Sequence, residues 1–223
     1  MIYEIKKNVD VKWPWNQDNY LLNHFLYRRK LQTNSNEPIL EDSLKIFTLS
    51  DIVILKRTAG LETIKPYVKD NVLILDTPLL KDEEELGKDN DLFIFAPGLI
   101  IMTFQLKGTV IDEKIKKLPQ IVMFKLFKER NKNKIVEFAR NDILINDKKV
   151  CGFDIIGNNT GTYQGIALNY YYDDELFKKL LNEHQLNRKT GSGITGVYNE
   201  YPDYEQDEFI NDFIKEIKMV IEG

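Results

Sequence analysis

Between residues 134 and 172 the chain is punctuated twice by residues that tolerate a left-handed backbone, Asn146-Asp147 and Asn158-Asn159-Thr160-Gly161. The segments between are short and rich in apolar and β-branched side chains, among them ILI, VCGFDII and YQGIAL. Such punctuation predicts strands joined by tight turns. It also gathers unlike residues. Within Ala139–Asn169 (ARNDILINDKKVCGFDIIGNNTGTYQGIALN), Asp142, the pair Lys148-Lys149 and Gly152 flank a single turn. If the strands pair, Asp142, Lys149 and the Gly152 backbone converge on one small volume, an arrangement suited to a carboxylate being activated or transferred.

The rest of the chain supplies helices and further strands. Residues 16–32 place Leu21, Leu22, Phe25 and Leu26 on one helical stripe, with Arg28, Arg29 and Lys30 near its end, where the dipole favours cations. β-type runs follow at 44–49, 51–56 and 71–76, then an acidic connection at 81–91 and a long apolar run at 92–106. Pro97-Gly98 interrupts that run. Residues 111–128 carry helical spacing through Ile111, Ile115, Leu118 and Val122, with Pro119 expected to kink or restart the helix. Residues 173–183 read as helical. A last helix over 207–222 places Phe209, Ile210, Phe213, Ile214, Ile217, Val220 and Ile221 on one face. The order helix, strands, helix, strands, helix predicts an α+β domain built on one mixed sheet, with residues 1–223 as a single domain.

Composition narrows the function. At 223 residues, 43% hydrophobic and 30% charged, the chain can bury a substantial core and is not of the disordered class. A net charge of −4 gives no field to hold it on nucleic acid or an anionic membrane, so neither is an expected partner. The apolar runs are too short to span a bilayer. The opening MIYEIKKNVDVKW has no apolar core after its charges and does not read as a secretory signal. With one cysteine, Cys151, and two histidines, His24 and His184, neither an internal disulfide nor a Cys- or His-based metal centre is expected. The expected compartment is the reducing cytoplasm.

The run RNDILINDKKVCG, followed further on by QGIALN, resembles the core signature of the lipoate–protein ligase and octanoyltransferase superfamily, to which biotin–protein ligase catalytic domains also belong. The likeness runs through Asn141-Asp142, Lys149-Val150-Cys151-Gly152, Gly165 and Leu168-Asn169. The later GSGITGV (191–197) is similar to the family's Gly-Ile-Thr-Ser-Val-type segment before its last helix. The resemblance implies a class-II-synthetase-like α+β fold and transfer or ligation of a lipoyl- or octanoyl-type acyl group to a lysine of a carrier protein. An acyl-adenylate is the implied intermediate. Lys149 is the implied catalytic residue, its ammonium polarising the activated carbonyl and holding the oxygens. Asn141, Asp142, Gly152, Gln164, Gly165 and Asn169 are the implied substrate or nucleotide contacts, with Asp142 also a candidate metal ligand. ATP, Mg2+ and lipoate or a related acyl group are implied, as is a lipoyl-type carrier domain as acceptor. The sequence is not expected to include the extra C-terminal domain of longer lipoate ligases, and the resemblance leaves room for a separate partner subunit in its place.

Three departures from the pattern bear on activity. Lipoate ligases carry an Arg-Arg-x-x-Gly-Gly-Gly loop after the strand matching 71–76, where this chain reads Asp76-Thr77-Pro78 and then acidic residues. Gln164 replaces a histidine and cannot carry a proton at neutral pH. The stretch matching the octanoyltransferase cysteine nucleophile, LNRKTGSG (186–193), offers Thr190 and Ser192 but no thiol. Two alternatives therefore stay open: a non-catalytic binding or regulatory relative, and an acyltransferase that uses a carrier thioester. On local sequence alone, the lysine pair also reads as a solvated hairpin end, Asp142 as a turn cap and Asn169 as a strand-end residue. Strand alternation predicts that Lys148 faces away from Lys149 and is solvated. The same alternation would let Cys151 line the pocket beside Lys149; the other reading is a small packed residue.

Overall fold

The computed structural model describes residues 1–9, 41–49, 53–56, 73–76, 92–108, 112–158, 161–176 and 193–223. The helix expected over 16–32, the acidic connection at 81–91, both histidines and residues 186–192 lie outside them.

Ten strands run in the order β1 (Ile2–Val9), β2 (Ser43–Leu49), β3 (Val53–Lys56), β4 (Leu73–Asp76), β5 (Leu92–Phe95), β6 (Leu99–Lys107), β7 (Val136–Ala139), β8 (Asp142–Ile145), β9 (Lys148–Asn158) and β10 (Gly161–Asn169) among the described residues. Seven of them form a mixed sheet in the spatial order β1-β2-β6-β10-β9-β8-β7. Only the β1–β2 pair in that sheet is parallel.

The expectation of a single sheet needs correcting, because β4-β3-β5 form a separate three-stranded sheet. The change of sheet occurs at the Pro-Gly step read from the sequence. β5 pairs with β3, whereas β6, which begins after three intervening residues, pairs with β2 and β10. Gly98 there has φ +92, and a Cβ on it would sit 2.6 Å from the Tyr171 carbonyl oxygen. That carbonyl's neighbours matter too, since Tyr170 and Tyr171 N–H both donate to Gly98 O, at 2.8 and 3.0 Å. Only glycine takes this turn without strain.

Four helices are described: α1 (Glu113–Lys116), α2 (Leu118–Arg130), α3 (Val197–Glu200) and α4 (Gln206–Ile221). Asp112 caps α1 through a side-chain bond from Lys114 N–H. Pro119 sits in the first turn of α2, where its missing N–H costs nothing, so it restarts the helix rather than kinking it. Of the helix expected over 173–183, residues 174–176 are helical, Asp173 stands before them and accepts from Leu176 N–H at 3.0 Å, and residues 177–183 lie outside the described residues.

Alternation along the strands sorts the core. Leu44 and Ile46 of β2, Ile100, Met102 and Phe104 of β6, Phe153 of β9 and Ile166 and Leu168 of β10 share one buried cluster with α2 and α4. Helix α4 contributes Phe209, Ile210, Phe213 and Ile217, as its spacing predicts, whereas Val220 in the last turn is exposed. Each buried side chain of this size is worth about 1.5–3 kcal/mol. Ion pairs at the surface of these helices, such as Lys125–Glu216 at 2.7 Å, are screened by water and add little, so packing holds the helices to the sheet. None of the described helices is long and apolar enough to cross a membrane. The central strand β6 is buried on both faces, and its second face carries Leu99, Ile101, Thr103 and Gln105. That second face carries the candidate site.

Candidate functional site

Strands β8 and β9 are joined by a two-residue turn in which Asn146 and Asp147 have φ +50 and +62, the double left-handed geometry that asparagine and aspartate tolerate. The register then breaks once. Ile143 faces Cys151, but the next residue, Leu144, faces Lys149, so Val150 is an extra residue in β9. Such a bulge re-aims the side chains beyond it. Val150 and Cys151 are both fully buried, and Lys149 turns to the face of Gly152. Simple alternation, which put Lys149 and Cys151 on one face, fails here for that reason. Lys148 is exposed, as expected.

On this face the Lys149 ammonium pairs with Asp142 Oδ1 at 2.7 Å, with the two side chains 34% and 33% exposed. Both lie against Gly152. A Cβ at that position would fall 3.2 Å from Lys149 Nζ and 3.3 Å from Asp142 Oδ1. Residues paired across strands share a face, so the row Asp142, Gly152, Ala167, Ile101, Phe47 crosses β8, β9, β10, β6 and β2. Ala167 is exposed although it sits in the middle of seven strands, so the sheet is open to solvent beside the lysine. Gly165 lies two residues along β10 on the same face, paired with Thr103, and Asn169 lies two residues the other way, paired with Leu99. Asn141 is exposed at the mouth, its carbonyl accepting from Phe153 N–H at 2.7 Å.

Gln164 does not join this group. It pairs with Phe104 and Ile155, which puts it on the core face, fully buried, with neither amide atom hydrogen-bonded. The histidine-to-glutamine comparison that singled it out carried no information about strand phase. Ala167 and the Val150 bulge gave no sequence signal at all. The segment Gly193–Thr195 did, through the GSGITGV likeness, and it backs the lysine directly. Lys149 N–H donates to Gly193 O at 3.0 Å and Thr195 N–H donates to Lys149 O at 2.9 Å. The rest of that likeness, at 191–192, lies outside the described residues, as does the place of the expected phosphate loop beyond Asp76.

Burial pushes the Cys151 thiol well above its ordinary pKa; the nearby Lys149 charge pulls the other way and does not win. A neutral, buried thiol is neither a nucleophile nor a metal ligand. Among the described residues no group of three His, Cys, Asp or Glu side chains could hold a metal ion. Asp142 spends one oxygen on Lys149, so a Mg2+ bound there would draw most of its ligands from phosphate and water. An anionic ligand fits better: a cation with one counter-ion, a glycine that leaves room above it, and open sheet alongside.

The family of the Lipoyl protein ligase A/B catalytic domain matches residues 94–218, which include Asn141, Asp142, Lys149, Gly152, Gly165, Ala167 and Asn169. No curated protein matches the sequence. Among solved structures, the chain is similar to P. falciparum LipL1 in complex with lipoate, with a TM-score of 0.63 and 18% identity over 99% of this chain and 62% of that one. It is also similar to a bi-partite lipoate protein ligase of Thermoplasma acidophilum, described with its E2 lipoyl domain, at a TM-score of 0.62 and 12% identity over 100% of this chain and 85% of the other. A lipoate-protein ligase A bound with ATP gives 0.58 and 12% over 99% and 86%. At these identities the likenesses establish the fold. The chain spans 62% of the length of the P. falciparum protein.

Proposed function

Because the chain belongs to the Lipoyl protein ligase A/B catalytic domain family, we propose that it joins a lipoyl- or octanoyl-type acid to a lysine of a lipoyl-type carrier domain, using ATP, with residues 1–223 acting as one catalytic domain. The observation that carries this reading is the Lys149 ammonium, paired with Asp142 at 2.7 Å, lying against Gly152 beside the exposed Ala167. Relatives in the fold are described with lipoate, with ATP and with a lipoyl domain, which supports the choice of substrates and acceptor.

The chemistry runs in two steps. An acid oxygen attacks the α-phosphorus of ATP and pyrophosphate leaves; the carrier amine then attacks the acyl carbonyl and AMP leaves. Negative charge gathers on the carbonyl and phosphate oxygens in both, and a fixed ammonium stabilises it most where water is partly excluded. Asp142 holds the lysine in place through their ion pair, and Gly152 lets the ligand approach within contact. Gly165 and Asn169 extend the same face, and Asn141 stands at its mouth. Gln164 lies on the opposite face and serves the core. Any Mg2+ would be held by Asp142 together with phosphate and water oxygens. A bi-partite relative is consistent with a partner subunit for this chain as well.

Cys151 favours the adenylate over a thioester route, since the one thiol of the chain is buried and neutral. Intact-mass analysis of a purified lipoyl domain tests the proposal. Incubation with the protein, ATP, Mg2+ and lipoate or octanoate should add one acyl group. Addition only from an acyl-carrier thioester, with ATP dispensable, supports the transferase instead. No addition, with tight binding to the lipoyl domain, supports a binding subunit.

A further inference from the structure

Three segments meet near the start of β9: the connection from α2 to β7, the β8–β9 turn and the Gly193–Thr195 segment. One carboxylate joins all three. Glu200, at the end of α3 with its side chain 10% exposed, accepts from Lys134 Nζ at 2.7 Å. It also accepts from Thr195 Oγ1 at 2.9 Å and from Asn146 Nδ2 at 3.3 Å. Asn146 in turn accepts from Ile135 N–H at 3.2 Å, closing the hairpin onto the connection. Burial pushes the Glu200 carboxyl up, and the bonds from Lys134 and Thr195 more than reverse it, so the group is held below the usual carboxylate range and is ionised at neutral pH.

The path from Glu200 to the lysine is short. Thr195, held through its hydroxyl by Glu200, donates its own N–H to Lys149 O, and Gly193 O accepts from Lys149 N–H. Both polar groups of the Lys149 peptide are thereby bonded to the same segment, which forms a parallel bridge at Ile194. A lysine next to a bulge has lost part of the regular ladder that would otherwise fix its direction. We propose that Glu200 is a positioning residue: acting through Thr195, it clamps the Gly193–Thr195 segment against Lys149 and so aims the ammonium at Asp142 and the space above Gly152. The inference rests on Lys149 being the working cation.

Two variants test it, Thr195→Val, which keeps shape and removes the hydroxyl, and Glu200→Ala. Each is treated with a limiting amount of an acetyl N-hydroxysuccinimide ester, and acetylation is read by peptide mass spectrometry at Lys149 and, for reference, at the exposed Lys132. Both variants should raise Lys149 labelling several-fold relative to Lys132, and the double variant should add nothing further, as expected for residues acting in one chain. Turnover should fall about tenfold or more with KM for the acid changed by no more than about twofold, the pattern of a lost transition-state contact. Wild-type labelling of Lys149 in Thr195→Val, or in a Glu200→Ala chain that still melts cooperatively, overturns the proposal. The labelling needs no activity. Raised labelling in a protein that never modifies a lipoyl domain would sink the ligase reading and leave the positioning intact.

Discussion

Lys149 and Asp142 stand on adjacent strands, 2.7 Å apart, and meet because one inserted residue, Val150, turns the lysine to the face that the aspartate already occupies. Removing the carboxylate tests what the pair is for. Both partners are about one-third exposed, so Asp142→Asn should cost no more than about 1 kcal/mol in denaturant unfolding. Acyl transfer should nonetheless fall at least about tenfold, because an unaimed ammonium stabilises the transition state poorly. A variant with full activity would show that the pair is a surface ion pair only.

Gly152→Ala probes the space above the strand. The new methyl would meet the far end of a flexible lysine at 3.2 Å, so the fold can adjust and stability should drop by less than about 1 kcal/mol. The methyl also occupies the approach to the ammonium. KM for the acid or ATP should rise about tenfold or more, and unchanged steady-state kinetics would place the ligand elsewhere.

The glutamine on the core face yields a prediction of opposite sign. Both Gln164 amide atoms are buried without partners, which costs about 1–3 kcal/mol for such a group. Gln164→Met, similar in volume, should raise the denaturation midpoint and leave acyl transfer unchanged. A loss of activity at unchanged stability would return this residue to the ligand.

Stability should decline on the alkaline side. Burial raises the pKa of Cys151, Tyr170, Tyr201 and Tyr204 in the folded chain. The unfolded chain therefore ionises first, at about pH 8.5 for the thiol and about pH 10 for the phenols. Stability is complete below those values and falls as pH rises past them toward the folded pKa. Melting temperature followed from pH 7 to 11 should drop accordingly, with Cys151→Ala removing the earliest part of the drop while keeping acyl transfer. Inactivation by Cys151→Ala in a folded chain would revive the thioester route.

Much of this architecture was legible in the chain itself. The Asn146-Asp147 turn, the Pro97-Gly98 break and the α4 stripe through Ile217 follow from local rules of backbone and periodicity, and they place the strand carrying Lys149 correctly. Two kinds of information were not local. A bulge changes strand phase without any residue preference that marks it, so the face shared by Lys149, Gly152 and Asp142 had to come from the register. The same holds for Gln164, whose neighbours in sequence face the opposite way. Partition into two sheets depends on which strands find each other, and β3, β4 and β5 carry the same apolar character as the strands of the larger sheet. Glu200 is linked to Lys149 only through tertiary contacts, from the short helix α3, which local sequence did not single out.

Acid-dependent release of pyrophosphate from ATP, measured for the wild-type chain, Lys149→Ala and Lys148→Ala, tests the role of the lysine most directly. Release is expected from the wild type, with a loss of about a hundredfold or more in Lys149→Ala at a nearly unchanged melt and little effect in Lys148→Ala. Wild-type release by a folded Lys149→Ala chain would contradict it.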